Sequence, residues 1–443
     1  MRKMASTFPH GIHPTECKHT AGAATKRLPW PPEVTVLLSQ HIGAPAKALV
    51  KKGQQVKRGE MVAEAGGFVS VPMHAPITGK VKSVGLTLNP RGDMASAIII
   101  ERDADADQEE IVGDAQAIDD LSPEELVQAV QRAGMVGLGG AAFPTHVKLS
   151  PPKGKRVDTV VVNGCECEPY LTTDYRVMLE EVTWIVEGAR LARRATGADE
   201  VVIAIENNKP EALEAIMNAV PNNEPISVRS LTTKYPQGAE KMLSRALLNR
   251  DVPSGGLPSD VGVACFNVAT LAKMGQLLPK GQGLIERIVT VSGGGVSRPG
   301  NYIVPLGTSL RFVLEHAGMT DNTCTIINGG PMMGATMPSL DIPLAKGTSG
   351  LLALTKNEIR ESNAHIFPCI RCARCVDACP MFLNPSMLGL LARKERYESM
   401  GETHNLNDCF ECGCCSYVCP SNIPLVHLFR VAKAVNRERS ASK

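Results

Sequence analysis

Cys369–Pro380 reads CIRCARCVDACP, and Cys409–Pro420 answers it with CFECGCCSYVCP. Nine of the fourteen cysteines fall in these two stretches. Cys369, Cys372, Cys375 and Cys379, followed by Pro380, give C-x2-C-x2-C-x3-C-P. Cys409, Cys412, Cys415 and Cys419 repeat it before Pro420. In that run three cysteines hold one [4Fe–4S] cluster and the fourth ligates its neighbour. Two-residue gaps let a tight turn aim successive thiolates at adjacent irons. Structural zinc is the alternative, but it pairs C-x2-C knuckles into sets of four. Two [4Fe–4S] clusters are therefore the expectation. Crossover assigns Cys369, Cys372, Cys375 and Cys419 to one cluster, and Cys409, Cys412, Cys415 and Cys379 to the other. Cys414 falls outside the pattern and reads as a buried bystander.

Between the runs, PSMLGLLARKERYESMGE is periodic and rich in helix formers. It predicts a helical hairpin at each cluster, the α-helical type of two-cluster ferredoxin rather than the compact β-rich one. At 443 residues the chain exceeds a single hydrophobic core. A net charge of +2 gives no nucleic-acid footprint and no strong membrane field. No run approaches the ~18 apolar residues of a spanning helix, so membrane association is expected through partner subunits. The opening MRKMASTFPHGIHP lacks an apolar core and does not read as a secretory signal. The thiols are thus expected in a reducing compartment, where clustered cysteines bind metal more often than they pair.

Clusters move one electron at a time, so a donor of electron pairs needs a converter, which flavin supplies. SPEELVQAVQRAGMVGLGGAAFPTHVKL, 122–149, offers a site. Ser122 and Glu125 make a capping box, Pro123 opens the helix and Gly134 ends it. Gly137, Gly139 and Gly140 then leave backbone N–H groups open to a phosphate, with Lys148 as countercharge. An ordinary flexible turn is the alternative for such a loop taken alone. Three strand-helix pairs follow: VDTVVVNG closed by a turn at Asn163–Gly164, EVVIAIENNKPEALEAIMNAV, and DVGVACFNVATLAKMGQLL. Continuous apolar strands alternating with helices predict a parallel sheet covered on both faces. Ligands bind at the carboxyl ends of such strands. Those ends carry Asn163, Glu166 and Glu168; Glu206, Asn207 and Asn208; and Asn267 and Thr270.

On GGAAFPTHVKL, NGCECEPYLTTDYR, QHIGAPAKALVKKGQQVKRGE and the doubled cysteine run, the chain resembles the C-subunit family of the Rnf electron-transport complex over essentially its full length. The centre is also similar to the flavin- and NADH-binding subunit of respiratory complex I. The latter resemblance implies that Gly137, Gly139, Gly140 and Lys148 bind flavin phosphate. It places Asn163, Glu166 and Glu168 on the loop holding flavin and nicotinamide nucleotide, with Phe143 near the nucleotide. Asn267 and Thr270 fall on flavin contacts, and Gly238 and Glu240 of YPQGAEKML on a looser match. Cys165, Leu138, Ala142 and Ala269 depart from the complex I pattern. Cys165 and Cys167 read as small loop residues rather than metal ligands.

Residues 31–105 read as hairpin-rich β structure, punctuated at Lys52–Gly53 and Arg58–Gly59. They resemble the lipoyl/biotinyl barrel-sandwich module, but AEAGGFVSVPMHAP has no lysine to carry a swinging arm. A docking scaffold is expected, with the acidic 101–110 as linker. Residues 287–318 read strand, turn, strand, helix, and resemble the small β-grasp (SLBB) unit. The expected architecture is multidomain α/β: a lead (1–30), an all-β barrel-sandwich module (31–112), a Rossmann-like FMN/NADH domain (113–280), an SLBB domain (281–357) and an α-helical ferredoxin-type domain (358–443). The Rnf resemblance implies an oxidoreductase subunit that carries FMN, two [4Fe–4S] clusters and bound NAD(H). It also implies membrane partner subunits, an indirect link to ferredoxin, and a peripheral place on the cytoplasmic face of the inner membrane. A soluble cobalamin reductase of the same build is the nearest rival, and a flavin-less electron-transfer adaptor is another.

Overall fold

A computed structural model describes residues 7–152, 154–359 and 365–441. Residues 1–6, 153, 360–364 and 442–443 lie outside it.

In the N-terminal module, Glu33–Leu37, Met94–Arg102, Gly79–Leu88 and Gln55–Val56 form one antiparallel sheet. Lys47–Ala48, Met61–Glu64 and Met73–His74 form a second. Alternation places Val34, Val36, Val81, Ile98 and Ile100 in the core with Val62, Val71 and Ile77, while Glu33 and Lys80 face solvent. The tip at Gly66–Ser70 is docked: the Phe68 carbonyl lies 2.7 Å from His146 Nε2, and Gln131 donates to the Ser70 carbonyl. Lys346 is wholly buried at this joint, donating to the carbonyls of Pro72 and Gly134. Burial lowers its ammonium to about 7.

The central domain is a parallel sheet in the order Ile226–Leu231, Glu200–Glu206, Thr159–Gly164, Val263–Asn267. Val160, Val161 and Val162 are fully buried because helices cover both faces, as their unbroken apolar run demands. Strand order reverses between Thr159–Gly164 and Val263–Asn267, so their carboxyl ends flank the crevice where such sheets bind ligands. Asn163–Gly164 does not make the expected turn. Both residues extend the strand, pairing with Ala204 and Ile205.

The β-grasp unit contains Glu286–Ser292, Gly300–Pro305, Thr323–Asn328 and Gly350–Thr355 in a mixed sheet. Lys26–Arg27 of the lead adds an edge strand parallel to Tyr302–Ile303. The cysteine-rich domain is helical, with Pro385–Arg393, Tyr397–Glu402 and Leu425–Ala441 packed round Leu388, Met400, Leu406 and Phe429.

Candidate functional site

Ser122 caps the helix Pro123–Arg132 through the expected box with Glu125, and Gly134 at φ +68° ends that segment. The glycine-rich loop follows, closed at its base by Gly137 N–H donating to the Phe143 carbonyl over 2.9 Å. Leu138 N–H donates to the Thr270 hydroxyl over 2.9 Å. Gly139 lies so close to Asn267 that a Cβ would stand 2.3 Å from its amide nitrogen, whereas Gly140 faces open space. Asn267 caps the helix Val268–Leu277, accepting from the N–H groups of Ala269 and Thr270. Its own amide donates to Asp174 over 2.6 Å. Glycine loop and helix N-terminus are thus stitched together at the strand-order reversal, a cradle suited to an anion. Of the sequence candidates, Gly137, Gly139, Gly140, Asn267 and Thr270 meet here.

Lys148, on the short helix Thr145–Leu149, pairs with Glu240 and lies 5.6 Å from the Phe266 ring centroid. Asn163 donates to the Gly238 carbonyl over 2.8 Å and accepts from Cys165 N–H. Phe143 is half-buried at the base of the glycine loop. The two glutamates diverge. The Glu166 carboxylate accepts from Thr173 Oγ1, Asp174 N–H and Tyr175 N–H, closing the start of the helix Thr173–Glu180. Glu168 accepts from the N–H groups of Met332 and Met333 in the β-grasp unit. Burial pushes the Glu168 carboxyl up to about 7. Cys167 accepts from Gly238 N–H, and burial raises both the Cys165 and Cys167 thiols, so neither is a ready thiolate.

Two features escaped the sequence reading. Lys18 of the lead donates to the carbonyls of Glu166, Glu168 and Leu171, strapping the lead across the strand ends. A crevice opens beside it, lined by Glu16, Lys18, Asn208, Thr233 and Lys234. Tyr235 donates its hydroxyl to the Cys412 carbonyl over 2.7 Å. Lys18 had no local signal; Tyr235 sits in the already noted YPQG.

Cysteines of the two runs meet in one cavity. Cys369, Cys372, Cys375 and Cys419 line one open cavity with Ile370 and Arg393. Burial raises the Cys415 thiol, and the charges of nearby Cys409, Cys412, Cys379 and Cys375 raise it further, so the second set of cysteines borders the first. No three potential ligands among the described residues are set for a single metal ion. Four thiols around a shared cavity suit a cubane. Cys414 is buried in a small apolar junction with Ile12, Tyr235 and Ala378.

Family models match the chain in the same order as these domains. The RnfC barrel sandwich hybrid domain covers 6–105 and the Nuo51 FMN-binding domain 130–276. The SLBB domain covers 288–336 and the 4Fe-4S dicluster domain 365–423. The C subunit of the proton-translocating ferredoxin:NAD(+) oxidoreductase complex of Clostridium ljungdahlii is 42% identical, covering 99% of this chain and 97% of its own length. The chain belongs to the RnfC family. Another RnfC relative, from the Na(+)-translocating complex of Acetobacterium woodii, is 40% identical over 96% of both chains. A structure of NAD+-reducing [NiFe]-hydrogenase in the H2-reduced state shares the fold at TM-score 0.51 and 21% identity, covering 73% of this chain and 68% of that one. The matched domains bear out the barrel-sandwich, FMN, SLBB and iron–sulfur reading. No helix among the described residues is long and apolar enough to cross a membrane.

Proposed function

We propose that this chain is the NADH/FMN/iron–sulfur electron-input subunit of a membrane-bound ferredoxin:NAD(+) oxidoreductase complex, on the cytoplasmic face, with ion transport in its partner subunits. Flavin and two [4Fe–4S] clusters, when bound, supply the conversion between hydride and single-electron chemistry. Gly137, Gly139, Gly140, Asn267, Thr270 and Lys148 would hold the FMN phosphate. Asn163, Phe143 and Gly238 would border the ring. For NAD(H) the candidates are Glu166, Glu168 and Glu240. Glu168 would have to exchange its bonds to Met332 and Met333 for nucleotide hydroxyls. Domain limits at 112, 280 and 357 belong to the same reading.

The contact from Tyr235 to the Cys412 carbonyl carries it. That bond seats the quartet of Cys379, Cys409, Cys412 and Cys415 against the loop that follows the edge strand Ile226–Leu231, in a junction with Cys167 and with Met332, to which Glu168 is bonded. The full-length match to membrane-complex subunits supports this reading over a soluble cobalamin reductase. The FMN-domain match supports it over a flavin-less adaptor.

Cofactor analysis of the purified chain tests it. One FMN and about eight irons with matching acid-labile sulfide are expected, the content of two [4Fe–4S] clusters. NADH should bleach the cluster absorbance, and removing the flavin should abolish that bleaching. NADH-driven cluster reduction that persists without flavin overturns the reading.

A further inference from the structure

Arg287 lies on the strand Glu286–Ser292, and its guanidinium passes beneath the glycine-rich loop. It is 3% exposed. Nη2 donates to the Leu138 carbonyl over 2.9 Å. Nε and Nη1 are buried and have no hydrogen-bond partner among the described residues. A guanidinium has five N–H donors and cannot shed its charge in place. Burying it with donors unmet costs free energy that some acceptor normally offsets.

The surroundings supply only part of one. Asp174 is the opposite charge that acts on Arg287. It is itself tied to the Asn267 amide, and burial together with Glu166 raises its carboxyl to about 7. No hydrogen bond joins it to Nε or Nη1 of the guanidinium, so Asp174 is an incomplete counterion. Lys148 differs in kind, because Glu240 already neutralises it. Net positive charge under the loop thus comes from Arg287. Asp174, Asn267, Gly139, Leu138 and Arg287 form a continuous chain of contacts along the loop and the N-terminus of Val268–Leu277.

We infer that Arg287 is the buried countercharge for a phosphate group held by this loop, and that the group is the phosphomonoester of FMN. The inference rests on the flavin reading above. The pyrophosphate of a nicotinamide nucleotide has the same chemistry and is the other possible source.

The full-length chain, freed of flavin with its clusters retained, would be titrated with FMN, riboflavin and NADH, following flavin fluorescence and NADH protection. Wild type should bind FMN well above riboflavin. Arg287→Met should weaken FMN by about 10- to 100-fold, the range for losing hydrogen bonds to a charged group, and leave riboflavin unchanged. Arg287→Lys keeps the charge without the fork, so it should recover part of the FMN preference. It should also shift the ³¹P resonance of bound FMN. If Arg287→Met does not fold, these two readouts on Arg287→Lys carry the test. Equal losses for FMN and riboflavin would assign Arg287 a purely structural role and overturn the inference. Loss of NADH binding alone would assign it to the pyrophosphate and overturn the FMN assignment. Wild type binding neither flavin would sink the flavin reading itself.

Discussion

The second cysteine run repeats the first not only in spacing but in backbone. Left-handed residues recur 40 positions apart, at Arg371 and Glu411, Ala373 and Gly413, Phe382 and Asn422. Arg371 N–H donates to Cys369 Sγ over 3.4 Å, and Glu411 N–H makes the corresponding bond to Cys409. The surroundings then part. The quartet holding Cys412 faces inward: Cys379 and Cys415 are buried, and Asp408 bonds Ser254 and Gly255 of the central domain. The quartet holding Cys372 faces outward. Cys372 is exposed, as are Ile370 at 66% and Phe367 at 49%, and Arg371 and Arg374 lie on the surface beside it. Glu411 is engaged by Arg430 and Lys433, whereas Arg371 at the matching place adds positive charge. One repeated turn thus provides an inner site toward the flavin domain and an outer site toward solvent.

Breaking each site separately gives the largest effect. Cys412→Ala should leave the outer cluster assembled but no longer reduced by NADH, because the inner cluster is the intermediate. Cys372→Ala should leave the inner cluster reducible and abolish transfer to an external acceptor. Low-temperature electron paramagnetic resonance after NADH addition separates the two clusters. An outer cluster still reduced at the wild-type rate in Cys412→Ala would remove the inner/outer order.

A second effect lies at the joint itself. Glu168 is raised from 4.5 to about 7 by burial where it holds Met332 and Met333. A carboxyl raised in the closed state binds its proton there more tightly than when exposed. The closed loop is therefore most stable below about 4.5, weakens as pH rises to about 7, and stays weaker above. The span corresponds to at most about 3 kcal/mol. Amide exchange at Met332 and Met333, corrected for intrinsic rates, should show protection falling from pH 5.5 to 8. Glu168→Gln should flatten that dependence. Protection that rises with pH in the wild type contradicts the linkage.

The contrast between the sites also marks where sequence reading reached its limit. The cysteine runs were legible because ligand spacing is local chemistry, and the fold brings Cys419 of the second run to the cavity lined by Cys369, Cys372 and Cys375. The capping box at Ser122 and Glu125 was legible for the same reason. Strand Ile226–Leu231 was missed: it is an edge strand, and Ser227, Arg229 and Ser230 interrupt its apolar run. Asn163–Gly164 looked like a turn because that dipeptide favours one, but a central parallel strand between two partners held it extended. Glu166 was legible as a strand-end acid, yet its use as a cap for Thr173–Glu180 depends on a fold-back no local pattern signals. Lys18 and Arg287 act across 153 and 149 residues at their Leu171 and Leu138 carbonyls, and neither sits in a local motif. Inward and outward were likewise invisible in two identical spacings, since burial of one turn depends on Tyr235 and Met332.

The smallest effect sharpens the comparison through charge alone. Reduction adds negative charge to a cluster, so solvent and nearby cations favour it while burial beside an acid opposes it. The outer site has Arg371, Arg374 and Arg393 around it, whereas at the inner site Arg430 and Lys433 are already paired with Glu411 and the Glu168 carboxyl lies near Cys412. The outer cluster should therefore have the higher potential, making transfer from inner to outer favourable. Arg371→Glu reverses one exposed charge and should lower the outer potential by roughly 1 kcal/mol, a few tens of millivolts for one electron, less at high salt. The inner potential should barely move. A redox titration that resolves the two clusters would show this, and an inner cluster that shifts as far as the outer would mean the arginine acts on the whole domain rather than on the site it borders.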